Sequence, residues 1–296
     1  MNPLLLFSAV LTLAGQAPPL QAPPAPQEAP VTLGDVVVDG VAPRDRARGY
    51  VDEILITPHG QGPARWNRRL CVGTVNLQPE VARYVIDRVS AVAQEVGLEP
   101  GLPGCRAEVL IFGASDGPEL ARALVEGRPR TFRVGGSGMD LGWSALQRFQ
   151  TSDAPVRWWH VSLPMTELGE AAVTLPGEGT PVIRTDMSRL RTRIINELKY
   201  VIIIIDVGRA EGVSLQPLSD YVAMVALAQI DAGADMGGHS SVLNLFADPA
   251  APTELTEWDL GYLHALYESD LDAASTTAQA REVARRLTDT ARTEED

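Results

Sequence analysis

The run Tyr200-Val201-Ile202-Ile203-Ile204-Ile205-Asp206 constrains the fold of this chain more than any other feature. β-Branched residues in succession, without polar alternation, fit a strand covered on both faces in the middle of a sheet. Soon after it, Tyr221-Val222-Ala223-Met224-Val225-Ala226-Leu227-Ala228-Gln229-Ile230 carries no charge. A helix that is apolar all round must be buried all round, and the pattern predicts one over 217–231, opened by Pro217. A buried strand feeding a buried helix points to an α/β (α+β) domain with a mixed twisted sheet and packed helices. The hydrophobic fraction of 45% is enough to fill such a core.

Upstream elements fit that class. Val81, Val85, Val89, Val92, Ala93 and Val96 form one stripe at helical spacing over 79–97, entered at Pro79 and left at Gly97. The strand-like runs Cys71–Val75 and Cys105–Phe112 flank it, so the unit reads β-α-β, with parallel strands that start side by side. A second helix is expected from Ala114 to about Glu126. Val156–Leu163 alternates like a half-buried strand that carries Trp158, Trp159 and His160, and a hairpin is expected over 171–184. Val31–Gly40 and Asp52–Thr57 read as short strands joined by an arginine-rich loop. Residues 128–154 give no clear pattern. Within them, Gly135-Gly136-Ser137-Gly138 lacks both the lysine of a phosphate loop and the spacing of a nucleophile elbow.

The N-terminus reads as an export leader. Residues 1–17 contain an apolar core from Leu4 to Leu13 followed by small residues, which is signal-peptide length and too short to span a bilayer. Residues 18–30 are proline-rich and suit an extended linker. The main domain is placed at 31–270, and 271–296 reads as an amphipathic Ala/Arg-rich helix with an acidic tail. A periplasmic or secreted location is expected, with no transmembrane segment after leader removal. In an oxidising compartment the two cysteines, Cys71 and Cys105, are expected to pair. Closing that loop is worth roughly 3.5–4 kcal/mol in the chain-entropy account. Thirty-eight acids against 25 bases give a net charge of −13. No basic stripe with interleaved aromatics offsets it, so nucleic acid is not an expected partner. Lys199 is the one lysine among the 25 bases, a bias that suits a high-GC bacterial genome.

The stretch 200–267 resembles the catalytic half of the zincin metalloproteases, most of all the matrixin branch. The correspondence runs through Val201–Asp206, the helix 217–231, the turn Ser241-Val242-Leu243-Asn244, and Thr256-Glu257-Trp258-Asp259 leading to Leu266-Tyr267. The resemblance implies a methionine in the turn, where Leu243 stands. It also implies His-Glu-x-x-His on the helix, where two histidines one turn apart bind zinc and the glutamate serves as general base. Those positions hold Val222, Ala223 and Ala226. Gln229 stands at the glycine that ends the family's helix, and Ala232 at its third ligand. Hydrocarbon side chains cannot coordinate zinc, so the resemblance implies a scaffold without metal, cofactor or protease chemistry.

The remaining candidates for chemistry are His239, in the loop Asp235–Ser241, and Asp206, at the end of the central strand where open α/β sheets place functional groups. Asp220 is expected in the first turn of the buried helix, where a carboxylate favours the dipole. Asp259 corresponds to an aspartate with a structural role in the family. These readings favour a non-catalytic module that binds a protein or peptide of the cell envelope. The alternatives are a hydrolase with relocated residues, tested at His239 and Asp206, and a structural envelope component.

Overall fold

The structure, a computed structural model, describes residues 42–133, 140–166, 168–173, 192, 194–273 and 275–295. The leader, the linker, the strand expected at 31–40, the Gly135–Gly138 loop and the hairpin turn near 176–179 lie outside the described residues.

The central sheet has the order β2-β4-β6-β5. Strand β2 (Val72–Val75) runs parallel to β4 (Val109–Ala114), with Val72 opposite Val109. Strand β4 runs parallel to β6 (Ile194–Asp206), from Val109 opposite Val201 to Ala114 opposite Asp206. Strand β5 (Val156–Thr166) is antiparallel to β6. The isoleucine run is therefore central, and Val201–Asp206 is buried on both faces. Helix α2 (Pro79–Glu95) makes the β2–β4 crossover. A short parallel pair, β1 (Arg69–Leu70) with β3 (Glu99–Pro100), flanks it.

Alternation along the strands sorts side chains between two cores. Val109, Ile111, Val201, Ile203, Val156 and Trp158 face the core that holds α2 and the charge-free helix α6 (Leu215–Leu227). Ile202, Ile204, Trp159 and Val161 face α3 (Gly117–Gly127), α4 (Pro129–Phe132) and α5 (Gly142–Thr151). There Phe132, Phe149 and Trp159 meet with ring centroids 5.6–6.4 Å apart. Helices α4 and α5 occupy the stretch that shows no sequence pattern.

Strand β5 is not half-buried. Val156–Leu163 is covered on both faces, and two of its polar members bond to carbonyls elsewhere, Arg157 to Phe149 O and His160 to Val225 O. The two tryptophans go to opposite cores: Trp158 Nε1 donates to Ile230 O and Trp159 Nε1 to Phe132 O. The expected strand at 52–57 is also corrected. Helix α1 (Pro43–Ile54) runs through it, because Ala47, Tyr50, Val51 and Ile54 form a buried stripe at helical spacing that outweighs the local β-branched run. Leu55 makes only an isolated bridge to Ile230.

Cys71 and Cys105 lie within bonding distance, with Cα atoms 6.1 Å apart. Cys105 itself sits in a loop, and the strand starts at Val109. The Cys71 carbonyl receives the N–H groups of Glu108 and Val109, which fixes where pairing begins. Helix α7 (Glu257–Glu268) starts at Thr256, and Arg65 Nη1 donates to the carbonyls of Leu266, Tyr267 and Ser269 at its far end. The expected C-terminal helix is α8 (Thr276–Glu295). It buries Val283, Ala284 and Leu287 and packs on α1 and α7 within one unit, Val41–Asp296.

Candidate functional site

Helix α6 holds the positions to which the zincin resemblance assigns zinc chemistry. Val222, Ala223 and Ala226 have no exposed surface, and α2, α7, β6 and the turn Val242–Asn244 pack against the helix. A helix end buried this deeply must have its free carbonyls met by side chains. His160 Nε2 lies 2.8 Å from Val225 O, Trp66 Nε1 donates to Ala226 O at 2.9 Å, and Tyr267 Oη donates to Leu227 O at 2.8 Å. Because its partner is a carbonyl, His160 Nε2 carries the proton. Burial pushes the imidazole down to about 4, so it stays neutral, and Nδ1 has no partner. His160 is a cap on α6. Both amide atoms of Gln229 are also buried without a partner.

Beside α6, Asp259 is fully buried and collects five donors: Tyr50 Oη (2.7 Å), Ser241 Oγ (2.5 Å), and the N–H groups of Val242 (2.8 Å) and Thr256 (2.9 Å) with Thr256 Oγ1 (2.9 Å). Part of this is the local capping box Thr256-x-x-Asp259. The rest ties α1 and the Ser241 turn to α7. Burial first, and then the charge of Asp259, raise the Tyr50 hydroxyl well above its usual value, so it remains a donor. Asp220 is not in the first turn of α6, which begins at Leu215. It is buried in an ion pair with Arg88 of α2 and accepts from Leu255 N–H at 3.2 Å, so tertiary contacts hold it.

The structure does not bring His239 and Asp206 together. His239 lies edge-on to Tyr50, ring centroids 5.3 Å apart, and its imidazole makes no hydrogen bond among the described residues. Burial lowers its pKa, with Glu53 opposing and Arg46 reinforcing the shift. No acid or nucleophile stands within hydrogen-bonding reach of its ring. Asp206 accepts from the N–H groups of Gly117 (3.0 Å) and Arg209 (3.2 Å) and pairs with Arg209 Nε at 3.3 Å. Burial would raise its pKa, but these two N–H groups, with Arg209 and Arg157 beyond them, hold it below the usual carboxylate value. A carboxylate so engaged is a poor base. It fastens the end of β6 to the start of α3.

Sequence reasoning missed one motif at this corner. Gly113-Ala114-Ser115-Asp116-Gly117 has the Gly-x-Ser-x-Gly spacing where β4 turns into α3, and Ser115 is exposed. A Cβ on Gly113 would stand 2.6 Å from Asn76 O, so glycine is what lets the chain after β2 cross here. A groove of about 300 Å³ lies over the turn, lined by Asn76, Ser115, Asp116 and Glu119 among others. The serine lacks the rest of an acyl-transfer site. Its backbone is not in the left-handed region, where Asn76 (φ 57°) is the one non-glycine residue among those described. No histidine lines the groove: His160 is under α6, His239 beside α1, His264 beside Glu95 and Glu268, and His59 on an exposed turn. A serine without a base is a weak nucleophile. The α3 N-terminus is also occupied, by Asp206 on Gly117 N–H and Asp116 on Glu119 N–H.

Among the described residues, no three His, Cys, Asp or Glu side chains stand together to hold a metal ion, and no helix is long and apolar enough to cross a membrane. A second groove, of about 620 Å³, lies between α1 and α8 and presents Arg44, Arg48, Arg281 and Arg285. The sequence reading places two of these in a loop, so their convergence was not legible. Comparison with protein-family models, with curated proteins and with solved structures returns no match to this chain.

Proposed function

We propose that this chain is an exported, non-catalytic binding protein whose core is a zincin-like scaffold that has lost its metal chemistry. The observation that carries this reading is the burial of Val222, Ala223 and Ala226. The surface on which a zincin would hold zinc is here packed hydrocarbon. The scaffold half of the reading is supported at Asp259, whose hydrogen bonds join the Ser241 turn to the Thr256 segment, the stretch in which the resemblance is most specific. Export is supported by the apolar leader and by the Cys71–Cys105 pairing distance. An unidentified protein or peptide of the envelope is the partner class this reading favours.

Elemental analysis of the chain purified from cells is the direct test, with well under one zinc per chain expected. One tightly held zinc per chain would overturn the reading. Exposed Ser115 is the single observation that favours a hydrolase instead. A fluorophosphonate probe is expected to leave it unlabelled, and labelling abolished by Ser115→Ala would establish the rival.

A further inference from the structure

Helices α1 and α8 lie side by side, and each presents two arginines one turn apart: Arg44 and Arg48 on α1, Arg281 and Arg285 on α8. Like charges at this spacing are mildly unfavourable on an isolated helix, and here two such rows face one groove. Compensation within the protein is partial. Arg48 pairs with Asp52 at 3.5 Å, and Arg285 with Glu282 and with Asp289, which also lines the groove. Arg44 and Arg281 have no ion pair among the described residues.

The floor of the groove narrows the ligand chemistry. Ala284 and Thr288 are buried, and the Thr288 hydroxyl already donates to Ala284 O at 2.8 Å. Helix flanks keep their backbone groups in internal bonds. The groove therefore offers chiefly guanidinium N–H donors; its one carboxylate among the described residues, Asp289, is engaged by Arg285 at 2.7 Å. An acidic peptide would bring its own N–H groups, for which that only lining carboxylate, Asp289, is already paired with Arg285. A phosphate group is acceptor-rich and multiply charged, and it fits the guanidinium fork in a bidentate manner. The volume of about 620 Å³ is that of a small-molecule site. A net charge of −13 would repel a long polyanion, whereas a short one can sit within the local positive field.

We propose that the α1–α8 groove binds a ligand carrying two or more phosphate groups, spaced to engage arginines on both helices. The source of those phosphates is either a soluble phosphorylated molecule or the head groups of an anionic lipid. The proposal does not rest on loss of zinc chemistry: a metalloprotein could carry this groove, and an inert chain could lack it.

Titration calorimetry of the purified chain with inorganic triphosphate at low salt, beside flotation with phosphatidylglycerol and with phosphatidylcholine vesicles, tests it. Saturable triphosphate binding is expected to weaken at least tenfold in the double variant R44E/R281E and in the milder R44Q/R281Q. It should be unchanged in R83E, an exposed charge reversal on α2. Arg44 and Arg281 are exposed and have no ion pair among the described residues, so thermal unfolding should confirm that the variants fold. Phosphatidylglycerol binding with the same variant pattern, and no triphosphate binding, assigns the phosphates to lipid. Failure to bind either probe, or equal weakening by R83E, overturns the proposal.

Discussion

The surroundings of α6, where the zincin resemblance puts the lost zinc positions, and the carboxyl end of β6, where Asp206 was a candidate for chemistry, are both rich in buried polar groups. Around α6 the donors come from distant parts of the chain. Tyr50 reaches Asp259 across 209 residues, Trp66 reaches Ala226 O across 160, and His160 reaches Val225 O across 65. At the end of β6 the arrangement is charged and partly local: Arg209 lies three residues from Asp206, and only Gly117 and Arg157 come from elsewhere. Polar groups around α6 thus hold the tertiary structure together, while those at Asp206 set one corner.

The sharpest way to break this comparison is at Asp259. Asp259→Ala would strand Tyr50 Oη, Ser241 Oγ and the Val242 N–H in the interior. A loss of about 3–5 kcal/mol is expected in urea unfolding. A loss below about 1 kcal/mol would show that α1 and α7 do not depend on the knot.

A pH series tests the other side of α6. His160 titrates near 6.5 when unfolded and about 4 when folded, so the folded chain binds fewer protons between those values. Its contribution is full above pH 6.5 and is lost as pH falls toward 4, by about 3 kcal/mol in all. His160→Gln, which can still donate to Val225 O but does not titrate, should flatten that slope. An unchanged slope would mean that other groups cause it.

The smallest effect is expected at the corner. Asp206→Asn keeps an acceptor for Gly117 N–H but removes the charge facing Arg209 and Arg157, at a cost of about 1–2 kcal/mol near neutral pH. Because the folded pKa of Asp206 is depressed, the wild-type advantage is full above its ordinary value of 3.8 and is lost as pH falls below it. An effect as large as that of Asp259→Ala would erase the distinction between corner and knot.

The same distinction explains what the sequence could disclose. The second half of β6, Val201–Asp206, and helix α6 were legible because complete burial leaves a nearly uniform apolar run. The capping box at Thr256 has partners only three residues apart and could have been read from its spacing, but Thr256-x-x-Asp259 was noted only through the resemblance. Strand β5 was misread because Arg157, His160 and Ser162 look like a solvent face, while the covering atoms, among them Phe149 O and Val225 O, belong to other elements. Helix α1 was hidden by arginines interleaved with its stripe, and with it went the arginine groove. His239 and Asp206 stood out as residue types, but their neighbours are set by tertiary packing and were not readable. Ser115 was readable by spacing, though its lack of a base was not.

The Cys71–Cys105 link, whose ends are 34 positions apart in the sequence, also sets how this molecule would bear a mechanical load. Tension applied at the two termini would pass from Cys71 straight to Cys105 and bypass β2, α2 and β3. That stretch, roughly 110–120 Å when extended, stays out of the load path while the bond holds. Reduction releases it, so the oxidised chain is shorter under tension by that length.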